Sequence, residues 1–301
     1  MKRKLVKQGA ATLMVSLPAK WIQANGLDKG SEVGIEEAGN KLIIEPEETK
    51  KRREIILNIS SLTETSVRTM ITNAYRMGYD KIKINFKDKN TLKIVEDVIQ
   101  TVLMGFEISK FDNKSCILES ITEPSKDQFD NVFSKLLMNI DALFEAAEKN
   151  LSGSNEDYKY IELKIKQFDN FCRRVISKHN FRSPELIWVF HTKLIHAQRE
   201  IYLMLNYISK KPVKANKLTL NLLKDCKELF DLLKKGYLEK DIASLEKIHD
   251  REKEIIYKKG YDLLEKKIDP IVVNHILWAS RNFYLASSPL MGTNLLANSI
   301  G

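Results

Sequence analysis

The chain has 301 residues but only three cysteines, Cys116, Cys172 and Cys226, which stand far apart and form no CxxC pair. This argues against a disulfide framework and against a zinc site of the usual spacing, and it fits a reducing compartment. Histidine is scarce as well. His191 and His196 are five residues apart, off a shared helix face, while His249 and His275 are isolated in the sequence, so packing or surface roles are expected for all four. No GxSxG, phosphate-cradling glycine loop, HExxH or nucleophile constellation occurs, and no enzyme is expected. The basic N-terminus lacks the apolar core of a signal peptide, since Gln8, Lys20 and Gln23 follow it. Residues 282–301 carry no charge, yet Asn, Ser, Thr, Gly and Pro289 among them favour a buried terminal helix over a membrane span. The expectation is a cytoplasmic protein with no membrane insertion.

What is present is an apolar content of 43%, enough for real cores, and a formal net charge of +9, which suits a polyanionic partner. The placement of the charge says more than its size. Lys2, Arg3, Lys4, Lys7 and Lys20 all precede the first acid, Asp28, and Lys50, Lys51, Arg52 and Arg53 form a second cluster.

Three regions follow one another. Residues 1–48 read as short strands, LVKQG, TLMVSLP, EVGIEE and KLIIEP, with a turn at Gly39-Asn40. Between them AKWIQAN is a short helix, with Pro18 in its first turn and Gly26 at its C-terminal cap. A unit this small cannot comfortably bury its own apolar faces, and a dimer sharing one β core resolves that. Residues 54–122 alternate as βαβαββ, with helices over 62–77, capped by Ser60 or Ser61, and over 90–104, which suggests a compact α+β layer. Residues 125–301 are helical throughout. Ser125 with Gln128 forms a capping-box start, and Ser183-Pro184 and Asp269-Pro270 are N-cap signals followed by proline. Lys211-Pro212 breaks the body near 211–214, leaving room for helices beginning near Ser125, Asn155 and Ser183, then near Ala215, Asp241 and Asp269. Two three-helix units in tandem are the simplest reading.

The first region carries Lys7 and Gly9, the run Val15-Ser16-Leu17-Pro18, Trp21, Gly26-Leu27, Lys29-Gly30 with Glu32-Val33, and Leu42-Ile43-Ile44 with Pro46. In these residues it resembles the SpoVT/AbrB swapped-hairpin DNA-binding domain. The remainder, with YRMGY at 75–79 and MGFEI at 104–108 ahead of a tandem helical bundle, looks like the body of archaeal PhoU-family phosphate-uptake regulators that carry this N-terminal domain. The resemblance implies an α+β chain with a swapped-hairpin β domain, a small α+β domain and an all-α bundle. It also implies a homodimeric transcriptional regulator of phosphate homeostasis, with DNA and transporter or signalling components as partners. The competing reading is an adaptor whose bundle binds such proteins and whose β domain only dimerises.

For DNA contact the candidates are Lys2, Arg3, Lys4, Lys7 and Lys20 on phosphates, and Gln8 and Thr12 on bases or sugar-phosphate. Trp21 is expected to anchor the core or the dimer interface. Lys51, Arg52 and Arg53 have two open readings, DNA flanking the core site or a solvated linker. PhoU proteins often bind metal through acidic motifs, and Glu246, Asp250 and Glu254 match such a spacing. The last helix, however, offers no acid as a partner, so no cofactor is expected and the three residues read as a solvated face whose mutual repulsion, a few tenths of a kcal/mol per pair, is relieved by nearby lysine and arginine.

Overall fold

The computed structural model describes residues 2–9, 12–38, 41–46, 52–59, 63–88, 90–122 and 125–298. The Gly39-Asn40 turn, Lys51 and the serines at 60 and 61 lie outside them. The chain divides into two compact units, Met1–Arg52 and Arg53–Gly301.

The first unit holds two hairpins and a short helix. β1 (Val6–Gln8) pairs antiparallel with β2 (Thr12–Met14), and β3 (Val33–Ala38) with β4 (Lys41–Pro46). Each hairpin is a separate two-stranded sheet. Helix α1 (Ala19–Ala24) starts after Pro18, which takes the N-cap position with an extended backbone and not the first helical turn. It ends at Gly26, whose φ of +63° is the left-handed conformation glycine adopts without strain. There Gly26 N donates to Gln23 O and Leu27 N to Ile22 O, satisfying two orphan carbonyls.

The second unit begins with a mixed sheet. β5 (Glu54–Ile59) runs parallel to β6 (Lys81–Phe86), which pairs antiparallel with β8 (Ser115–Ser120), and β8 with β7 (Phe106–Phe111), in the order β5-β6-β8-β7. The parallel pair requires a crossover, supplied by α2 (Glu64–Arg76). This helix is capped by Thr63, whose side chain accepts from Ser66 N, so the cap lies later than the serines read from the sequence. α3 (Asn90–Val102) follows β6. Val67, Ile71, Tyr75, Val95 and Val98 pack on Ile82, Ile84, Cys116 and Leu118 in a core of their own.

The helical part comprises α4 (Phe129–Leu151), α5 (Lys159–Lys178), α6 (Pro184–Lys210), α7 (Lys217–Leu238), α8 (Ile242–Lys253), a π-helical segment (Glu254–Gly260), α9 (Tyr261–Glu265) and α10 (Pro270–Asn298). The capping box at Ser125 and Gln128 is present. The break after Lys210 separates the helices in sequence but not in packing. α10 lies along α6 and α7, and apolar residues from α4 through α10 form one continuous core. The segment from Asp241 is not a uniform α-helix. Its π-helical stretch ends at Gly260, where a Cβ would sit 2.3 Å from Leu277 of α10, so the absence of a side chain sets the closeness of that contact.

Asp269 immediately precedes Pro270, the first residue of α10, and its carbonyl accepts from Val273 N at 2.9 Å, while its side chain serves another helix. Its carboxylate accepts from Asn216 N and the Thr219 hydroxyl, each at 2.8 Å, and so fastens the start of α7. No helix among the described residues is long and apolar enough to cross a membrane.

Candidate nucleic-acid interface

In the first unit none of the described residues is buried. Leu13 is 59% exposed, and Ile35 and Leu42 are each 64% exposed. Trp21 and Ile22 of α1 are only half-buried. The second hairpin, with six residues per strand, puts Val33, Ile35, Leu42 and Ile44 on one side, none of them buried, while the first, with three, has Val6 and Met14 on one side and Leu13 on the other. Covering such side chains stabilises by roughly 1 kcal/mol or more apiece. As a single copy the unit leaves these side chains open.

The DNA-contact candidates sit around the first hairpin. Lys2, Arg3 and Lys4 lead into β1 and are exposed, as are Lys7, Gln8, Thr12 and Lys20. Register places Gln8 opposite Thr12 and Lys7 opposite Leu13. Facing residues of a ladder project to the same side and successive residues to opposite sides. Gln8 and Thr12 thus share one side of the hairpin, and Lys7 lies on the other with Leu13. Lys20 is in the first turn of α1. Among the described residues none of these five basic side chains has an ion-pair partner. Arg52 is exposed. Arg53 is engaged within the second unit: its guanidinium donates to Met77 O at 2.7 Å and stacks over Tyr79, and its backbone N–H donates to Asp80 at 2.9 Å.

The acidic stripe is dispersed. Glu246 and Asp250 are exposed. Glu254 accepts from Arg251 at 2.5 Å and lies 3.2 Å from Lys259, whose cation, with that of Arg251, holds its carboxyl below the usual range. Among the described residues there is no group of three or more His, Cys, Asp and Glu side chains able to hold a metal ion. His275 is not isolated, since its Nδ1 lies 2.8 Å from Glu200.

The sequence reading missed the buried charges. Asp169, Asn170, Arg173 and Arg174 lie on one stretch of α5 and are all buried. Arg76 of α2 donates to Asn170 at 2.6 Å and to Asp169 at 3.2 Å. Asn170 donates to Val102 O and Gln167 to Gln100 O, each at 3.2 Å, so α5 side chains satisfy the last carbonyls of α3. Arg174 does the same for Tyr75 O and for Tyr79 O beyond α2. Burial alone would raise the Asp169 pKa, but His191, Arg173 and Arg76 outweigh it and hold the carboxyl below its usual range. Further along, Glu162 of α5 pairs with Arg199 of α6 at 2.7 Å, and Glu252 of α8 with Arg281 of α10 at 2.6 Å. The one signal in the sequence was the run of charge on α5, DNFCRR at 169–174, which breaks an otherwise amphipathic pattern.

Comparison with known proteins bears on the first unit. No curated protein and no solved structure matches the chain. A family model described as "Antidote-toxin recognition MazE, bacterial antitoxin" matches residues 6–53, so the N-terminal segment is similar to a MazE/AbrB-type domain.

Proposed function

We propose that the chain is a homodimeric DNA-binding transcriptional regulator. The observation that carries this reading is the first unit itself. It has exposed apolar side chains on its hairpins that a second copy would cover, and beside them five basic side chains that have no ion-pair partner among the described residues. The similarity of residues 6–53 to a MazE/AbrB-type domain supports it, because domains of this type bind DNA and dimerise. Arg3, Lys4 and Lys7 would take phosphates, and Gln8 and Thr12, side by side on one face, would reach base edges or sugars. The proposed domains are 1–48 for DNA binding, 54–122 for the α+β layer and 125–301 for a helical sensory part.

The finer reading is a PhoU-like regulator of phosphate uptake acting in the cytoplasm, supported by the order of the three regions and by helices beginning on both sides of the 211–216 break. The adaptor alternative keeps the dimer and drops DNA. Fluorescence anisotropy with duplex DNA over a salt series separates the two. A regulator loses affinity steeply and linearly in log salt as counterions are released, whereas an adaptor shows no salt-dependent binding at all. Mapping of bound chromosomal sites tests the finer reading, which fails if none lies upstream of phosphate-transport genes.

A further inference from the structure

A cleft of about 530 Å³ opens between the α+β layer and the helical bundle, inside the second unit. That size is ordinary for a small-molecule site. Its walls come from α2 and α3 on one side and α5 and α6 on the other. Four cations line it: Arg68 and Arg76 of α2, Lys166 of α5 and Arg199 of α6.

These charges are layered. The carboxylate of Glu162 is 2% exposed, while Lys166 and Arg199, which lie 3.5 and 2.7 Å from it, are 40% and 42% exposed. Asp169 is buried in the same way behind the more open Arg76. Arg68 is paired with the exposed acids Glu64 and Asp97. The cleft therefore presents cations outward and keeps its two deepest carboxylates behind them. One acid stands among the open groups as well, Asp97, 49% exposed and paired with Arg68, so the lining carries four cations against three carboxylates.

A second observation concerns what lies behind the cations. Glu162 Oε2 and Gln198 Oε1 are buried acceptors with no hydrogen-bond partner among the described residues, and both residues line the cleft. A buried acceptor left unmatched is unfavourable, the more so when it carries charge. Both atoms call for a donor. Arg199 and Lys166 are both engaged with the other oxygen, Glu162 Oε1, and an incoming anion would give these two cations a second partner.

We propose that this cleft binds a small organic anion, phosphorylated or carboxylated, that also carries hydroxyl or amino donors. The anionic group sits among Arg68, Lys166 and Arg199, and the donors satisfy Glu162 Oε2 and Gln198 Oε1. The ligand touches the α+β layer and the bundle together, so it is placed to change how they fit. As the effector site of the regulator the cleft rests on the reading above; as a binding site it does not.

Isothermal titration calorimetry on the full chain, without DNA, tests the site, so its failure and the failure of the DNA-binding reading are separate results. The probes are ribose 5-phosphate, gluconate, ribose and inorganic phosphate. Ribose 5-phosphate or gluconate binds at least about tenfold more tightly than ribose and inorganic phosphate, and whichever leads identifies the anionic group. Arg68→Gln, which alters an exposed pair, and Thr69→Trp, which fills the mouth from an exposed position on α2, each weaken that binding by about tenfold or more. No heat from either organic anion overturns the proposal. So does inorganic phosphate binding as tightly as the better of them, or an affinity unchanged in both variants.

Discussion

The guanidinium of Arg174 donates to the carboxylate of Asp80 at 2.7 Å across the boundary between the helical bundle and the α+β layer. Arg174 is 1% exposed and rests on the rings of Tyr75 and Phe106. Lys178 and the backbone of Arg53 reach the same carboxylate. Burial alone would raise the Asp80 pKa, but Lys178, Arg53 and Arg174 keep it below its ordinary value. The two layers are joined by a satisfied polar cluster as well as by apolar packing.

Arg174→Ala should therefore be costly. It leaves the Tyr75 and Tyr79 carbonyls without this donor and removes one of the two cations paired to Asp80. The expected loss is about 3–5 kcal/mol, the range for breaking a buried pair. Arg68→Ala, at an exposed pair, should cost about 1 kcal/mol or less. Urea denaturation of both variants makes the comparison. Equal losses would mean the cluster adds nothing beyond surface charge.

His191 gives a stability change with pH. It is fully buried among Phe129 and Phe133 of α4 and Phe190 of α6, with Asp169 at 3.7 Å. Burial pulls its pKa below the ordinary 6.5; Asp169 opposes that shift and Arg173 adds to it. A depressed folded pKa means the unfolded chain binds the proton first. The contribution is complete above about pH 6.5 and is lost as pH falls from there toward the folded value. Asp80 and Asp169, also depressed, add a second loss below about pH 3.8. In thermal melts His191→Phe should flatten the first decline and also weaken the Asp169 part of the second, since His191 helps hold that carboxyl below its usual range, while the Asp80 part remains.

Dimerisation through the first unit should be sensitive to a single charge. Ile35→Glu or Leu42→Glu places a carboxylate on the apolar side of the second hairpin, where both residues are 64% exposed. Light scattering should give a dimer for the unmodified chain and a monomer for either variant, with the melting of the second unit unchanged. A wild-type monomer at micromolar concentration would sink the idea.

Arg3, Lys4 and Lys7 replaced together by alanine should weaken DNA binding and flatten its salt dependence. A dimer presents each side chain twice, for about six phosphate contacts, so the log–log slope should fall by about five units at most. Lys7 lies on the opposite side of the hairpin from Gln8 and Thr12, so a smaller change is expected if DNA meets the Gln8 face. Gln8→Ala with Thr12→Ala should reduce discrimination between sequences while leaving the slope intact. An unchanged slope in the triple variant would shift attention to Lys20 and Arg52.

Glu246, Asp250 and Glu254 replaced together by glutamine should leave metal content the same and stability within about 1 kcal/mol, since exposed ion pairs contribute little. Elemental analysis showing a stoichiometric metal lost in the variant would overturn this.

Local chemistry wrote much of this fold into the sequence. Ser125 with Gln128, the glycines at 26 and 78, and the proline at 184 mark helix ends through backbone geometry that needs no distant partner. Strand alternation in 81–86 and the buried face of α4 were legible for the same reason, because each repeats within a few residues. The candidate DNA residues were legible as charge without neighbouring acid. The cleft was not, because its residues come from four helices and none is unusual alone.

The sequence by itself determined the order of elements, the small size of the first unit and the position of its basic residues, all of which follow from short-range pattern and length. Only tertiary structure decided which charges are buried. Glu162 with Arg199, Asp169 with Arg76 and Glu252 with Arg281 are separated by 37, 93 and 29 residues. Apolar periodicity predicts burial one residue at a time. For these ionised side chains the distant partner is fixed by packing and not by local pattern.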